Sequence, residues 1–332
     1  MDYNRWSGFT DKELARYDVA YLNLLVAEGL PGSESIDIKA ALNQLDYWAD
    51  LVRVNTEHWL RSFRPTPEVP TEGHLRMVAM ATALWRDIGI RISPKRMDNA
   101  LNYTDSQDNF LHGILNGNGG TCASLPMAYL AIGRRLGYPL SLVPTRNHLF
   151  VRWNGSDGKP FNVECACGGF RSDDDEHYRT WPFPFAVDER NDPFWLHNIS
   201  PRGEMAIHLA QRSHCLMDHL QLDEALEAIY FAKKMEPHYT YLWKMVSMMN
   251  SIMDNVRRRR DSIYFPLNER IDIACNDLIV IPEAEEPLVS ARRHLHRILK
   301  VHSRIWLMQF ESGLRRPAYR QQSIYSLGHS RL

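Results

Sequence analysis

The chain has 332 residues, 44% apolar and 24% charged, with a formal net charge of -1. That is long enough for two or three domains, and it excludes a global field that would gather nucleic acid or an anionic membrane. No apolar run approaches the roughly 20 residues that span a bilayer. The opening "MDYNRWSGFTDKELARYD" is polar, without the apolar core of a signal peptide or the acid-poor character of a transit peptide, so a cytoplasmic setting is expected.

The first hundred residues read as helical. "TDKELARYDVAYLNLLVAEG" predicts one helix capped at Thr10 or Asp11, with Leu14, Tyr17, Tyr21 and Leu25 on one face and a stop at Gly29. "SIDIKAALNQLDYWADLVRVNTEHWL" predicts a second, with Ala40 or Ala41, Leu45, Trp48 and Val52 at core spacing. "FRPTPEVP" is a linker, because its prolines cannot continue a helix. "TEGHLRMVAMATALWRDIG" predicts a third, turning Met77, Ala81, Leu84 and Ile88 inward and ending at Gly89.

The middle block differs. "SLPMAYLAIGRRLG" reads as a helix closed by Gly137, and "LSLVPTR", "HLFVRWN" and "PFNVECA" read as strands. "GSDGK" between the last two is a hairpin signal, and "RSDDDEHYRTWPFP" reads as an acidic loop near the site mouth. Beyond residue 203 the chain turns helical again. "GEMAIHLAQRSHCLMDHLQLDEALEAIYFAKKMEPH" resembles one tetratricopeptide repeat, with Leu209, Ser213, Leu216, Ala225, Ile229, Ala232 and Pro237 at the signature positions. A second copy fails, since Arg259 stands where a small residue belongs. A last helix is expected near 288–310, followed by a frayed end. The expected domains are a helical region at 1–105, an α+β core at 106–200 and a helical tail at 201–332.

The chemistry gathers in the middle block. Cysteines stand at 122, 165, 167, 215 and 275, an odd and sparse set that predicts free thiols. Cys122 follows the glycine-rich "GNGG" and precedes a helix. A thiol attacks a carbonyl as its thiolate, which a helix N-terminus and a neighbouring histidine both favour. Pro126 leaves two readings: Ser124 is the N-cap and Cys122 stands just outside, or the helix starts at Cys122 with one bond missing. His148 opens a strand on which residues 148, 150 and 152 share a face. A hairpin centred on Ser156 would set Glu164 directly across from His148, provided that its loop has an odd number of residues or carries a bulge. Asn162 lies on the same face and is the alternative partner for the imidazole. The backbone of Asn118, Gly119 and Gly120 is the expected oxyanion and substrate loop, beside the Cys122 N–H.

"GNGGTCASLPMAYLAIGRRLGYP", "RNHLFVRW" and "FNVECACGGF" resemble the core of the transglutaminase-like superfamily, whose fold is papain-like. The resemblance is specific over about 115–170 and looser over most of the chain. It implies a helix packed on a small antiparallel sheet, flanked by helical regions of a kind found in bacterial members. It also implies Cys122 as nucleophile, His148 as general base and Glu164 as orienting acid, where an aspartate is commoner. The activity implied is acyl transfer on an amide or ester through a thioester, with hydrolysis (peptidase, amidase or deamidase) favoured over cross-linking. The rival reading is a scaffold without catalysis that binds a protein through its helical tail.

The remaining clusters read as structural. A zinc set of Cys122, His148, Cys165 or Cys167 and His177 is disfavoured, because a C-x-C on a strand points both thiols away from Glu164. The acidic run lacks the glycine and distal glutamate of a calcium loop, so no metal or cofactor is expected. "RRRR" at 257–260 and the basic face of "ARRHLHRILKVHSR" fit solvated helix surfaces. His208, His214 and His219 are not spaced to share a helix face. The expected partners are a peptide or protein substrate and a protein bound to the tail, not a membrane or nucleic acid.

Overall fold

The computed structural model describes Tyr3, Trp6 and residues 8–94, 103–185, 190 and 192–263, with side chains through Asp254. The described residues lie in a compact unit that runs to Pro266, and the unit at 267–332 lies outside them. The expected helix near 288–310, the basic face from 291 and Cys275 fall outside the described residues, as do the side chains of 257–260.

Where one helix was expected at 10–29 there are two, α1 (Asp11–Leu14) and α2 (Val19–Ala27). Two local signals account for the break. Thr10 and Glu13 form a reciprocal capping box at the first helix. Asp18 then caps the second, accepting from the Ala20 N–H at 2.7 Å. The break rotates the buried face. Val19, Leu22, Asn23 and Val26 are buried, while Tyr17, Tyr21 and Leu25 are only partly covered. Gly29 follows with φ +74°, as a helix stop requires.

α3 (Ile38–Leu60) buries Leu45, Ala49, Val52 and Thr56, so Ala49 takes the place expected for Trp48, and Ala40 is exposed. α4 (Glu72–Thr82) widens into a π-helical turn at Ala83–Ile88 and ends at Gly89 with φ +85°. Met77, Ala81 and Leu84 face inward as expected, while Ile88 is only partly covered. A 3₁₀ turn (Ser106–Asp108) and the short α5 (Leu111–Leu115), neither foreseen, lead to α6 (Leu125–Arg135). α6 closes at Gly137, φ +72°, where the Tyr138 N–H reaches back to the Gly133 carbonyl at 2.9 Å.

β1 (Leu140–Thr145), β2 (His148–Trp153) and β3 (Phe161–Val163) form an antiparallel sheet with β2 central, and α6 packs against β1 and β2. This is the expected α+β core. β1 and β2 join through Arg146 and Asn147, and Asn147 holds φ +54°, a left-handed angle that asparagine tolerates. The acidic loop contains a helix, α7 (Asp175–Thr180). Its acids have local work: Asp174 caps the helix at the His177 N–H, and Asp175 pairs with Arg152 of β2 at 2.5 Å.

α8 (Pro201–Asp218) and α9 (Leu222–Met235) pair closely, and α10 (Thr240–Ile263) packs on α9. Leu209, Ser213, Leu216, Ala225, Ile229 and Ala232 are all buried. Buried Asn23 of α2 joins α5 and α8. Its Oδ1 accepts the Leu111 N–H at 2.9 Å, and its amide donates to His208 Nδ1 at 3.3 Å. The Arg134 guanidinium of α6 also grips buried Glu204 of α8 with two hydrogen bonds, at 2.9 and 2.5 Å. No helix among the described residues is long and apolar enough to cross a membrane.

Candidate active site

Ser124 is the N-cap of α6, Pro126 falls in the first turn, and Cys122 stands two residues outside. Local hydrogen bonds fix this threshold. The Ser124 hydroxyl accepts from the Thr121 N–H at 3.0 Å, and the Thr121 hydroxyl donates to the Asp108 carbonyl at 2.7 Å. The Cys122 thiol is partly exposed and donates weakly to the Asn147 carbonyl at 3.9 Å. Asn147 immediately precedes His148, so the turn between β1 and β2 carries the imidazole to the thiol.

The His148 ring is 3% exposed and the Glu164 carboxylate 1%. His148 Nε2–H donates to Glu164 Oε2 at 2.7 Å. This engagement leaves Nδ1 as the nitrogen available to Cys122, whose thiol lies close enough to the ring to help raise its pKa. The route to this contact differs from the expected one. β2 and β3 pair Val151 with Val163 and Trp153 with Phe161, which centres the hairpin on Asp157. Extending that register puts Phe150, not His148, across from Glu164. The loop of seven residues (154–160) is odd, so Glu164 keeps the face of His148 and reaches it diagonally. Asn162 is engaged by other partners: its amide donates to Asp173 O and Asp175 Oδ1, and its Oδ1 accepts from Arg152 Nε.

Burial alone would push the His148 pKa down. The Glu164 charge and hydrogen bonds with Cys122 and Glu164 override that and push it up to about 10. Burial alone would raise the Glu164 pKa. The adjacent His148 charge, the bond to His148, the Ala166 N–H at 2.7 Å and the Tyr178 hydroxyl at 3.2 Å hold it below the ordinary carboxylate value. The pair is thus an imidazolium facing a carboxylate. Aromatic rings enclose it. Tyr178 lies parallel to His148 at 6.2 Å, and Trp181 meets the same ring edge-on at 5.1 Å.

Tyr178 is a contact that sequence reading missed. "DDDEHY" carries helix-cap signals, but nothing in it tells that the sixth residue reaches a carboxylate on another element.

Part of the glycine loop is engaged elsewhere. The Gly120 N–H donates to the Arg91 carbonyl at 2.8 Å, and the Asn118 amide is bound to Gln107 Oε1. Gly119 packs so closely on Ser93 that a Cβ there would lie 2.8 Å from its Cα. These residues let the chain lie against segment 91–93, and the N–H of Gly120 and the side chain of Asn118 are not aimed at an oxyanion. Among the described residues the Cys122 N–H itself makes no hydrogen bond.

Burial raises the pKa of Cys165 and pushes that of Cys167 up to about 12. Strand pairing stops at Val163, so the expected alternation of the C-x-C thiols does not hold, and Cys167 Sγ–H donates back to the Glu164 carbonyl at 3.2 Å. His177 Nε2 takes a hydrogen bond from Arg171 at 3.2 Å. No group of three or more His, Cys, Asp or Glu among the described residues is placed to hold a metal. An open groove of about 540 Å³ runs past Arg152, Asn162, Asp173 and Asp175, and none of Cys122, His148 or Glu164 lines it.

No curated protein and no solved structure matches the chain. A family model does, and its match begins in α3, so it takes in part of the helical front region. Residues 39–181, which hold Cys122, His148 and Glu164, match the model of the transglutaminase-like superfamily.

Proposed function

We propose that the protein catalyses cysteine-dependent acyl transfer on an amide or ester carbonyl of a peptide or protein, with water as the favoured acceptor. The observation that carries this reading is the placement of Cys122 at a helix threshold, hydrogen-bonded to the turn residue Asn147 beside the His148–Glu164 pair. The Cys122 sulfur attacks the carbonyl carbon as thiolate, and the carbonyl π pair moves onto oxygen. We assign the Cys122 N–H as a donor to that oxyanion. When the tetrahedral centre collapses, the bond to the leaving amine or alcohol breaks and His148 gives it a proton. His148, now neutral, takes a proton from water as the water attacks the thioester, and the acid leaves from sulfur. Glu164 remains ionised throughout and orients the ring.

Thiol reactivity tests the reading. Iodoacetamide alkylation of Cys122, followed by mass spectrometry at pH 6, is expected to outpace that of an ordinary thiol. His148→Ala is expected to slow it at least about tenfold, the scale on which positioned base groups act. Alkylation no faster than an ordinary thiol, and unaffected by His148→Ala, would refute acyl transfer. It would leave the scaffold reading, in which the helical tail binds a protein.

A further inference from the structure

Glu164 has to present one oxygen to His148 while buried among apolar rings, and the hydrogen bond from His148 alone cannot fix its rotation. Two further donors hold it. The Ala166 N–H takes Oε1, and the Tyr178 hydroxyl takes Oε2, the same oxygen that receives His148 Nε2–H.

Tyr178 is itself unusually constrained. The Thr145 hydroxyl of β1 binds its carbonyl at 2.9 Å. Its ring stacks on Phe150 of β2 at 4.0 Å and 14°. Its helix is fastened to β2 by Arg152–Asp175. The residue has no exposed surface. Three independent contacts thus aim a single hydroxyl at one carboxylate oxygen, more than core packing by a phenylalanine would require.

We infer that Tyr178 is a positioning residue of this site: its hydroxyl holds Glu164 as an anion with Oε2 toward His148, which keeps the imidazole turned to Cys122. The inference rests on the acyl-transfer reading of the same site and adds to it what keeps the proton on the imidazole. A carboxylate already engaged by a phenol and an amide is a weaker base toward His148. The proton therefore stays on His148, where a leaving group can take it. Burial holds the phenol in its protonated, donating form. The titratable or charged groups facing Glu164 are His148, Tyr178, Arg171, Cys165, Cys167 and Tyr129.

The test uses the full chain with ¹³C-labelled glutamate, the Glu164 signal being assigned by its loss in Glu164→Gln. Tyr178→Phe keeps the ring stack and removes one donor. It is expected to raise the Glu164 titration midpoint by about one pH unit, the scale of one hydrogen bond to a charged group. It is also expected to slow Cys122 alkylation at pH 6 several-fold. 3-Fluorotyrosine at position 178, a stronger donor of the same shape, is expected to move the midpoint the opposite way. A midpoint unmoved by both replacements overturns the inference. A midpoint that moves in a protein whose wild-type Cys122 reacts as an ordinary thiol supports the hold on Glu164 and refutes acyl transfer instead.

Discussion

His148 and Glu164 touch through a 2.7 Å hydrogen bond although the sheet register does not set them opposite one another. The contact is diagonal, and it leaves both groups almost wholly buried. A buried charge pair of this kind couples folding to pH with two opposed signs. The His148 pKa stands above its ordinary 6.5, so its contribution to stability is complete below 6.5 and is lost as pH rises toward about 10. The Glu164 pKa is lowered, so its contribution is complete above 4.5 and is lost as pH falls through the depressed value. Melting temperatures of wild type and His148→Gln are therefore expected to differ most between about pH 4.5 and 6.5. The gap should narrow steadily toward pH 10. A gap that widens with pH would contradict the pairing.

Other histidines work the other way, three of them strongly. Burial pushes His208 down to about 3 and His112 and His214 down to about 4. The unfolded chain takes up protons below pH 6.5 that the fold excludes, so stability falls from there toward pH 4. Each such group contributes about 1.4 kcal/mol per pH unit in that window. His214→Phe keeps a ring against Tyr103 (4.5 Å) and removes one titration. Urea midpoints measured from pH 7 to 4.5 should show a shallower acid slope in that variant, and an unchanged slope would count against a neutral His214.

Asn23 is the joint between the front helices, the core and α8. Asn23→Leu leaves the Leu111 N–H without its acceptor and His208 Nδ1 without its donor, both in the interior. Unmet buried polar groups cost about 1–3 kcal/mol each. Denaturant unfolding is expected to show a loss of about 2–4 kcal/mol, with one shared transition for the front helices and α8. Two separated transitions in the wild type would show that the joint does not couple these regions.

Gly119 and Gly117 offer a matched pair. Both sit at φ +78°. Nothing lies within 4 Å of a Cβ at Gly117, whereas one at Gly119 meets the backbone of Ser93. Gly117→Ala is expected to cost about 1–2 kcal/mol for the left-handed angle alone. Gly119→Ala should cost more, because segment 91–93 must also move. Equal losses by denaturant titration would mean that the contact with Ser93 carries no weight.

The sequence by itself determined most of the local elements and the candidate residues. The Thr10 cap, the stops at Gly29, Gly89 and Gly137, and the three strands follow from short-range backbone preferences, which act over a few residues. Cys122, His148 and Glu164 stood out because a thiol, an imidazole and a carboxylate follow in order on a helix threshold and two neighbouring strands. Residue parity even placed His148 and Glu164 on one face. Only the tertiary structure decided the rest. A hairpin centre one residue further along, at Asp157, made the contact diagonal, and no local rule sets a seven-residue loop. The partners of the glycine loop, Arg91 and Ser93, arrive from a distant segment, so the backbone freedom of "GNGG" did not reveal what would lie against it. The choice of Glu164 over Asn162 turned on Arg152, Asp173 and Asp175 engaging the amide. The hydroxyl of Tyr178 reached Glu164 because α7 is fastened across β1 and β2. Such contacts depend on long-range packing, which pairs groups by position in space and not by spacing along the chain.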